Sequence, residues 1–321
     1  MKVLVTGGAG FIGSNLVRAL IQDNRVTAVK VLDNLETGSI FNLSGLKTNS
    51  KFEFIEGDIR NYAICLGASD GIDIISHQAA LGSVPRSVTD PITTHEVNAT
   101  GTLNIFNAAR ENKIKRVVYA SSSSIYGDHP GLPKVEDITG SSLSPYAVTK
   151  LMNEIYAKVF ADLYGMEFIG LRYFNVYGPC QNPAGPYAAV IPLFIKSFLD
   201  NQSPVINGSG ENSRDFTYVD DVIQANLLAM FTQESAAINQ VFNIAKGEKT
   251  TLNELYSVLL QISGKNIEVV YALERSGDIK HSLADITKAK KLLGYHPGIS
   301  PVEGLRKTYE WYKQNPSIFT R

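Results

Sequence analysis

The chain has 321 residues, 44% hydrophobic and 19% charged, enough to bury a full core in one large domain or two closely joined ones. Thirty Lys and Arg face 31 Asp and Glu, a formal charge of -1, so no global field recruits nucleic acid or an acidic membrane surface. Two cysteines far apart in sequence, Cys65 and Cys180, give no disulfide framework, and five histidines show no metal-ligand spacing, so no metal is assigned. The opening MKVLVTGG enters an apolar strand at residue 2 without a signal-peptide hydrophobic region, and no run of eighteen apolar residues occurs; a cytoplasmic protein is expected. Short apolar runs then recur at Val3–Val5, Val26–Leu32, Phe52–Ile55, Ile72–Ile75, Val117–Ala120, Phe168–Leu171 and Val241–Ile244. They are continuous rather than alternating, which predicts strands buried on both faces. Helical patterns lie between them at Phe11–Ile21, Asn98–Asn112 and Pro145–Tyr164.

That alternation predicts an α/β fold with a doubly wound parallel sheet. The long helix has readable ends: Ser144 as N-cap, Pro145 at the first position and Gly165 just past the last turn. After residue 172 the texture changes to Pro-, Gly- and Asn-rich connections and shorter helices, one opened by a capping box at Thr251–Glu254. The expected organisation is a main domain over 1–171, with 215–246 returning to it, and a smaller binding lobe over 172–321.

TGGAGFIG, Thr6 to Gly13, joins the first strand to the first helix. Gly7, Gly10 and Gly13 allow a tight turn, close backbone approach to a pyrophosphate and close helix packing, with the pyrophosphate at the helix N-terminus. Asp33 ends the second strand about twenty residues later, where a carboxylate accepts from ribose hydroxyls and repels a 2′-phosphate. The expected cofactor is NAD, on a Rossmann domain. Asp58, after the third strand, either contacts the adenine side or is a plain turn aspartate.

Tyr146 and Lys150 stand at i and i+4 and share one helix face. A phenol with a reference pKa near ~10 becomes a base at neutral pH only if a nearby positive charge favours the phenolate. Tyr146 is therefore expected to take and return a proton, with Lys150 lowering its pKa and holding the nicotinamide ribose. ASSSSIYG ends a central strand, where open parallel sheets place ligands, so Ser122 and Ser123 can offer hydroxyls to the oxygen that Tyr146 deprotonates.

TGGAGFIG, SSSSIYGDHPG, SPYAVTK, LRYFNVYGP, GSGENSRDFTYVDDV and RSGDIKHSLAD follow one another across about residues 1–295. In these the chain resembles the extended short-chain dehydrogenase/reductases, and within them the nucleotide-sugar 4-epimerases. HQAALGSVPRS and GDIKHSLAD make it most similar to bacterial UDP-N-acetylglucosamine 4-epimerases of surface-polysaccharide pathways. Members that dehydrate or decarboxylate their substrate carry acidic residues in the serine segment, whereas Asp128 is the first acid here. The resemblance thus implies a pure hydride shuttle through a 4-keto sugar, with NAD staying bound.

The same resemblance implies a cofactor set of Gly7, Gly10, Phe11, Ile12, Gly13, Asp33, Asn34, Asp58, Ile59, Gln78, Ala79, Ala80, Tyr146, Lys150 and Tyr173. It places Asn175, Arg214 and Arg275 on the UDP diphosphate, with Asp278 in the same shell, Asn207 at uracil and Val190 in the substrate pocket. Ser282 stands where relatives restricted to UDP-glucose carry tyrosine, which implies room for a 2-acetamido group. Ser83 and Arg86 either line that pocket or belong to a loop. A homodimer through Asn98–Asn112 and Pro145–Tyr164 is implied as well. The rival readings are a UDP-uronate 4-epimerase, with Arg86 or His281 at the C6 carboxylate, a net oxidoreductase with exchangeable cofactor, and a non-catalytic NAD sensor.

Overall fold

The structure, a computed structural model, describes residues 1–183, 188–274 and 280–320. Seven strands form one parallel sheet: β1 (Lys2–Thr6), β2 (Ala28–Asp33), β3 (Phe52–Glu56), β4 (Ile74–His77), β5 (Arg116–Ser122), β6 (Glu167–Tyr173) and β7 (Gln240–Ile244). Their order is β7-β6-β5-β4-β1-β2-β3, and every pairing is parallel, for example Val5 beside Val31 and Ser76. Each apolar run of the sequence became one of these strands, with starts and ends moved by at most two residues.

Both faces of the sheet are apolar, as continuous runs require. Val3, Val5, Val29 and Val31 join a core under helix α1 (Phe11–Gln22). Leu4, Leu32, Ile75 and Val117 join a second core on the opposite face. That second core packs Phe106 of helix α2 (Gly101–Glu111) and Phe160 of helix α3 (Pro145–Tyr164). Helix α4 (Val219–Phe231) lies against α1, and β7 then returns to pair with β6.

Helix α3 ends as its sequence dictates. The Ser144 hydroxyl accepts from the Ala147 N–H, Pro145 occupies the first turn, and Gly165 takes the left-handed conformation with φ of 65°. The second predicted helix differs. Only Gly101–Glu111 is α-helical, because Glu96–Thr100 widens into a π turn. There the buried Asn98 side chain accepts from the Leu81 N–H at 2.7 Å and donates to Thr149 Oγ1 at 3.3 Å.

Beyond β6 the chain builds short ribbons: Val176–Tyr177 with Thr217–Tyr218, Val205–Asn207 with Val270–Ala272, and Ser213–Arg214 with Thr250–Thr251. The helices Val190–Leu199 and Leu252–Ser263 flank them, the latter opened by the Thr251–Glu254 capping box. Among the described residues no helix is long and apolar enough to cross a membrane.

Candidate functional site

Strand order reverses between β1 and β4, and a cleft of about 370 Å³ opens there beyond the carboxyl ends of the strands. Its floor is the glycine loop. Gly7 has φ of 68°, and a Cβ there would meet the Ala79 nitrogen at 2.6 Å; at Gly13 it would meet the Gly7 oxygen at 2.1 Å. The loop closes only with glycine at both positions. Gly10 caps α1 without a side-chain hydrogen bond, so the first amides of that helix have no partner within it and face the cleft as anion donors.

Asp33 is buried at the tip of β2 and accepts from the Ala9 N–H at 2.9 Å and the Leu35 N–H at 2.8 Å. Burial raises its pKa and these amides oppose the rise. Asp58 lines the same end of the cleft, but its carboxylate is taken by Arg60 at 2.6 Å and by the Asn34 amide at 3.0 Å. The Arg60 hydrogen bond brings the Asp58 pKa down to about 2. Phe11, Ile12, Asn34, Ile59, Gln78, Ala79, Ala80 and Tyr173 complete the wall, all brought together as expected. Tyr173 donates to the Gln78 side-chain Oε1 at 3.1 Å and accepts from the Asn226 side-chain amide at 2.9 Å. The glycine turn, the open helix start and the carboxylate at the tip of β2 form a cradle that fits a dinucleotide.

Tyr146 and Lys150 enter the cleft from α3 and meet Ser122 at the end of β5. The Lys150 ammonium is 3% exposed and donates to the Ala120 carbonyl at 2.9 Å; burial brings its pKa down to about 8. It stands 5.9 Å from the centre of the Tyr146 ring. The sequence expectation was that this lysine lowers the phenol's pKa. In the structure burial dominates and raises it, and the lowering influence is the Ser122 hydroxyl. Ser123 does not join the cleft wall, because the chain turns into a 3-10 helix over Ser123–Tyr126 capped by the Ser122 side chain.

Asn175, with φ of 34°, and Val176 lie on this cleft and on an adjoining cavity of about 510 Å³ in the lobe. That cavity brings in Val190, Asn207 and Arg214. Asn175 donates to the Asp215 carbonyl at 3.2 Å, and Arg214 donates to the Ser213 carbonyl at 3.0 Å. Ser83 and Arg86 stand apart from Tyr146. Ser83 caps the Val84–Thr89 helix, and both residues line a third cavity that shares Gly10, Phe11, Gly82 and Gln181 with the cleft. Ser282 donates its N–H to the Ser213 carbonyl at 3.1 Å and is not among the residues lining these cavities. Arg275 and Asp278 lie outside the described residues.

Sequence reasoning missed Glu36, Thr37, Leu81, Val97, Ser121 and Gln181 on the cleft wall. It also missed Asp215, a buried carboxylate that accepts from the Lys246, Gly247 and Ala284 amides. Burial raises its pKa to about 6. Its position directly after Arg214 was the only available signal.

The model of the NAD dependent epimerase/dehydratase family matches residues 3–245. The chain belongs to this family. Its members are NAD-dependent enzymes, and the cradle described above is where this epimerase/dehydratase family chain has room for NAD. Over 316 residues it is 40% identical to a putative UDP-glucose 4-epimerase of Methanocaldococcus jannaschii, covering 98% of this chain and 99% of that one. Its fold matches that of a UDP-N-acetylglucosamine 4-epimerase from Methanobrevibacter ruminantium M1, solved with UDP-N-acetylmuramic acid. The TM-score is 0.92, with 41% identity and 98% of each chain covered. A UDP-glucuronic acid 4-epimerase from Bacillus cereus, solved with UDP-glucuronic acid and NAD, matches with a TM-score of 0.90 and 35% identity over 98% of this chain and 100% of that one.

Proposed function

We propose that the protein is a UDP-sugar 4-epimerase that interconverts UDP-N-acetylglucosamine and UDP-N-acetylgalactosamine, and that UDP-glucose and UDP-galactose can also enter. One observation carries the reading: Tyr146, Lys150 and Ser122 line one cleft, which shares Asn175 with a second cavity. Held by the glycine loop and Asp33, NAD would supply a reversible hydride acceptor for C4 of the sugar. The chain's own part is proton handling and positioning. Tyr146 takes the 4-hydroxyl proton and later gives it back, Ser122 holds the sugar O4 against the phenol, and Lys150 fixes the cofactor side of the cleft. Between the two transfers the sugar is a 4-ketone and must present its other face, which a roomy pocket permits.

In this reading Asn175 and Arg214 hold the diphosphate, since guanidinium forks suit phosphate oxygens. Arg275 and Asp278 are proposed beside them, and Val190 and Asn207 receive the uridine. Residues 1–171 with 215–246 carry the cofactor, and the remainder of 172–321 carries the UDP-sugar. Small side chains at Gly82, Ser83, Ala188 and Ala189 leave the third cavity open to an acetamido group; Ser282, outside the lining of that cavity, stays a separate candidate for the same preference. The M. ruminantium neighbour, a UDP-N-acetylglucosamine 4-epimerase, supports that preference. A second reading, 4-epimerisation of a UDP-linked uronic acid, draws on Arg86 in the same cavity and on the B. cereus neighbour. Glu36, which lines the same cavity, counts against a carboxylate there.

The same proposal includes a homodimer. On α3, Val148, Ile155, Val159 and Leu163 form an exposed apolar stripe, continued by Val88 and Ile92 on the short helices that pack beside it. Incubation with UDP-N-acetylglucosamine, UDP-glucose and their uronates, followed by NMR at C4, tests the function. Inversion of the acetamido sugar supports it. Inversion of the uronate alone selects the second reading, and no inversion of any of them overturns both.

A further inference from the structure

Three consecutive residues of β5 are each tied to a different residue of one face of α3. The Ala120 carbonyl accepts from Lys150 at 2.9 Å. The Ser121 hydroxyl donates to Glu154 Oε1 at 2.6 Å. Ser122 lines the cleft together with Tyr146, and its hydroxyl is the influence that lowers the phenol's pKa against burial. Residues 146, 150 and 154 stand at i, i+4 and i+8, so the three ties form one line along the helix.

Glu154 is the member of this line with no place in the proton chemistry, yet it is the most firmly held. Arg172, on the neighbouring strand β6, grips it at 2.9 Å through Nε and at 2.8 Å through Nη2, with the two side chains 4% and 10% exposed. Arg172 is itself fixed from behind. Its Nη1 donates to the Tyr126 hydroxyl at 3.0 Å and to the Glu136 carbonyl at 2.9 Å. Tyr126 in turn donates to Asn243 on β7 at 2.6 Å. A buried ion pair recovers little net stability after desolvation, but a two-pronged guanidinium fork sets direction as well as distance.

We infer that Glu154 is a positioning residue: by bracing α3 against the ends of β5 and β6, it sets the distance between the Tyr146 phenol and the Ser122 hydroxyl. The inference rests on the 4-epimerase reading for its kinetic consequence, not for its geometry. Loss of the brace lets α3 shift against β5, so the hydroxyl that favours the phenolate is placed less well.

The test uses full-length protein with Tyr146→3-fluorotyrosine, whose ¹⁹F shift is titrated in the parent, in Ser121→Ala and in Glu154→Gln. Ser121→Ala removes one hydrogen bond and leaves the ion pair, so it reports even if Glu154→Gln folds poorly. Partial loss of the hydrogen bond that favours the phenolate moves the phenol midpoint up by about one unit, a tenfold change in its ionisation equilibrium. In the same variants carrying unmodified Tyr146, kcat for UDP-N-acetylglucosamine at pH 7 should fall about tenfold, the rate equivalent of one such unit, with KM within about twofold of the parent. A folded Glu154→Gln protein with unchanged midpoint and unchanged kcat overturns the inference, even if its melting temperature drops; where Glu154→Gln does not fold, the same result in Ser121→Ala, which cuts the tie of Glu154 to β5, overturns it. If the parent inverts no UDP-sugar, the function reading falls while the ¹⁹F titration still decides the brace.

Discussion

The Lys150 ammonium donates to the Ala120 carbonyl at 2.9 Å and stands 5.9 Å from the centre of the Tyr146 ring. The lysine is therefore held by the strand rather than by the phenol. Burial lowers its pKa to about 8, so its charge is lost within the range of an ordinary assay. Epimerisation should fall on the alkaline side with a midpoint near pH 8. The linkage sign separates this from unfolding. A lysine whose folded pKa lies below its unfolded value near ~10.4 adds stability as pH rises from about 8 toward 10.4. Parallel pH profiles of kcat/KM and of melting temperature check this; a joint fall of both near pH 8 would refute it.

Tyr146→Phe keeps the ring and removes the proton carrier. C4 inversion should drop by roughly 10²- to 10⁴-fold, the usual range for a positioned general acid–base. NAD released on denaturation should match the parent, because the glycine loop is untouched. Ser122→Ala should cost less, about tenfold, as loss of one hydrogen bond to a charged group. A rate for Tyr146→Phe within a few-fold of the parent would remove the phenol from the chemistry.

Arg214 lines the lobe cavity and is remote from Tyr146 in the proposed arrangement. Arg214→Gln should raise KM for UDP-N-acetylglucosamine roughly ten- to a hundredfold, the equivalent of about 1.5–3 kcal/mol of charge-assisted hydrogen bonding. Its kcat should change little. A fall in kcat at constant KM would place Arg214 in the reacting region instead.

The exposed stripe on α3 makes a prediction about assembly. Ile155→Glu combined with Leu163→Glu puts two charges into an apolar face, which a packed helix interface cannot solvate. Sedimentation should show a dimer for the parent and a monomer for the double variant. A parent that sediments as a monomer would leave the stripe without its proposed partner.

Much of this was legible in the residues. Seven apolar runs gave seven strands because parallel strands are buried on both sides and leave no room for polar alternation. Ser144, Pro145 and Gly165 marked the ends of α3 because capping is a local property. The glycine loop and Asp33 could be placed for the same reason: both sit at strand ends whose positions follow from the runs. The failures are non-local. No local pattern reveals that Asn98 reaches Leu81 and widens its helix into a π turn, or that Ser123 turns out of the cleft while Ser122 stays. Burial of the Tyr146 phenol, which outweighs the Ser122 hydroxyl, depends on residues brought to it from distant parts of the chain. Glu154 and Asp215 read as ordinary acids until their partners arrive from distant parts of the chain.

Strand β7 reaches the sheet only after the chain has passed through Val190–Leu199, the short ribbons and α4. The outermost strand of the main sheet is thus supplied by sequence that has already built part of the lobe. A polypeptide ending at residue 171 would carry an open hydrogen-bonding margin along Glu167–Leu171 and would lack Asn243, the outer anchor of Tyr126. The halves that would grip cofactor and sugar nucleotide are stitched together by the path of the backbone, so neither can be inherited, swapped or expressed without a piece of the other.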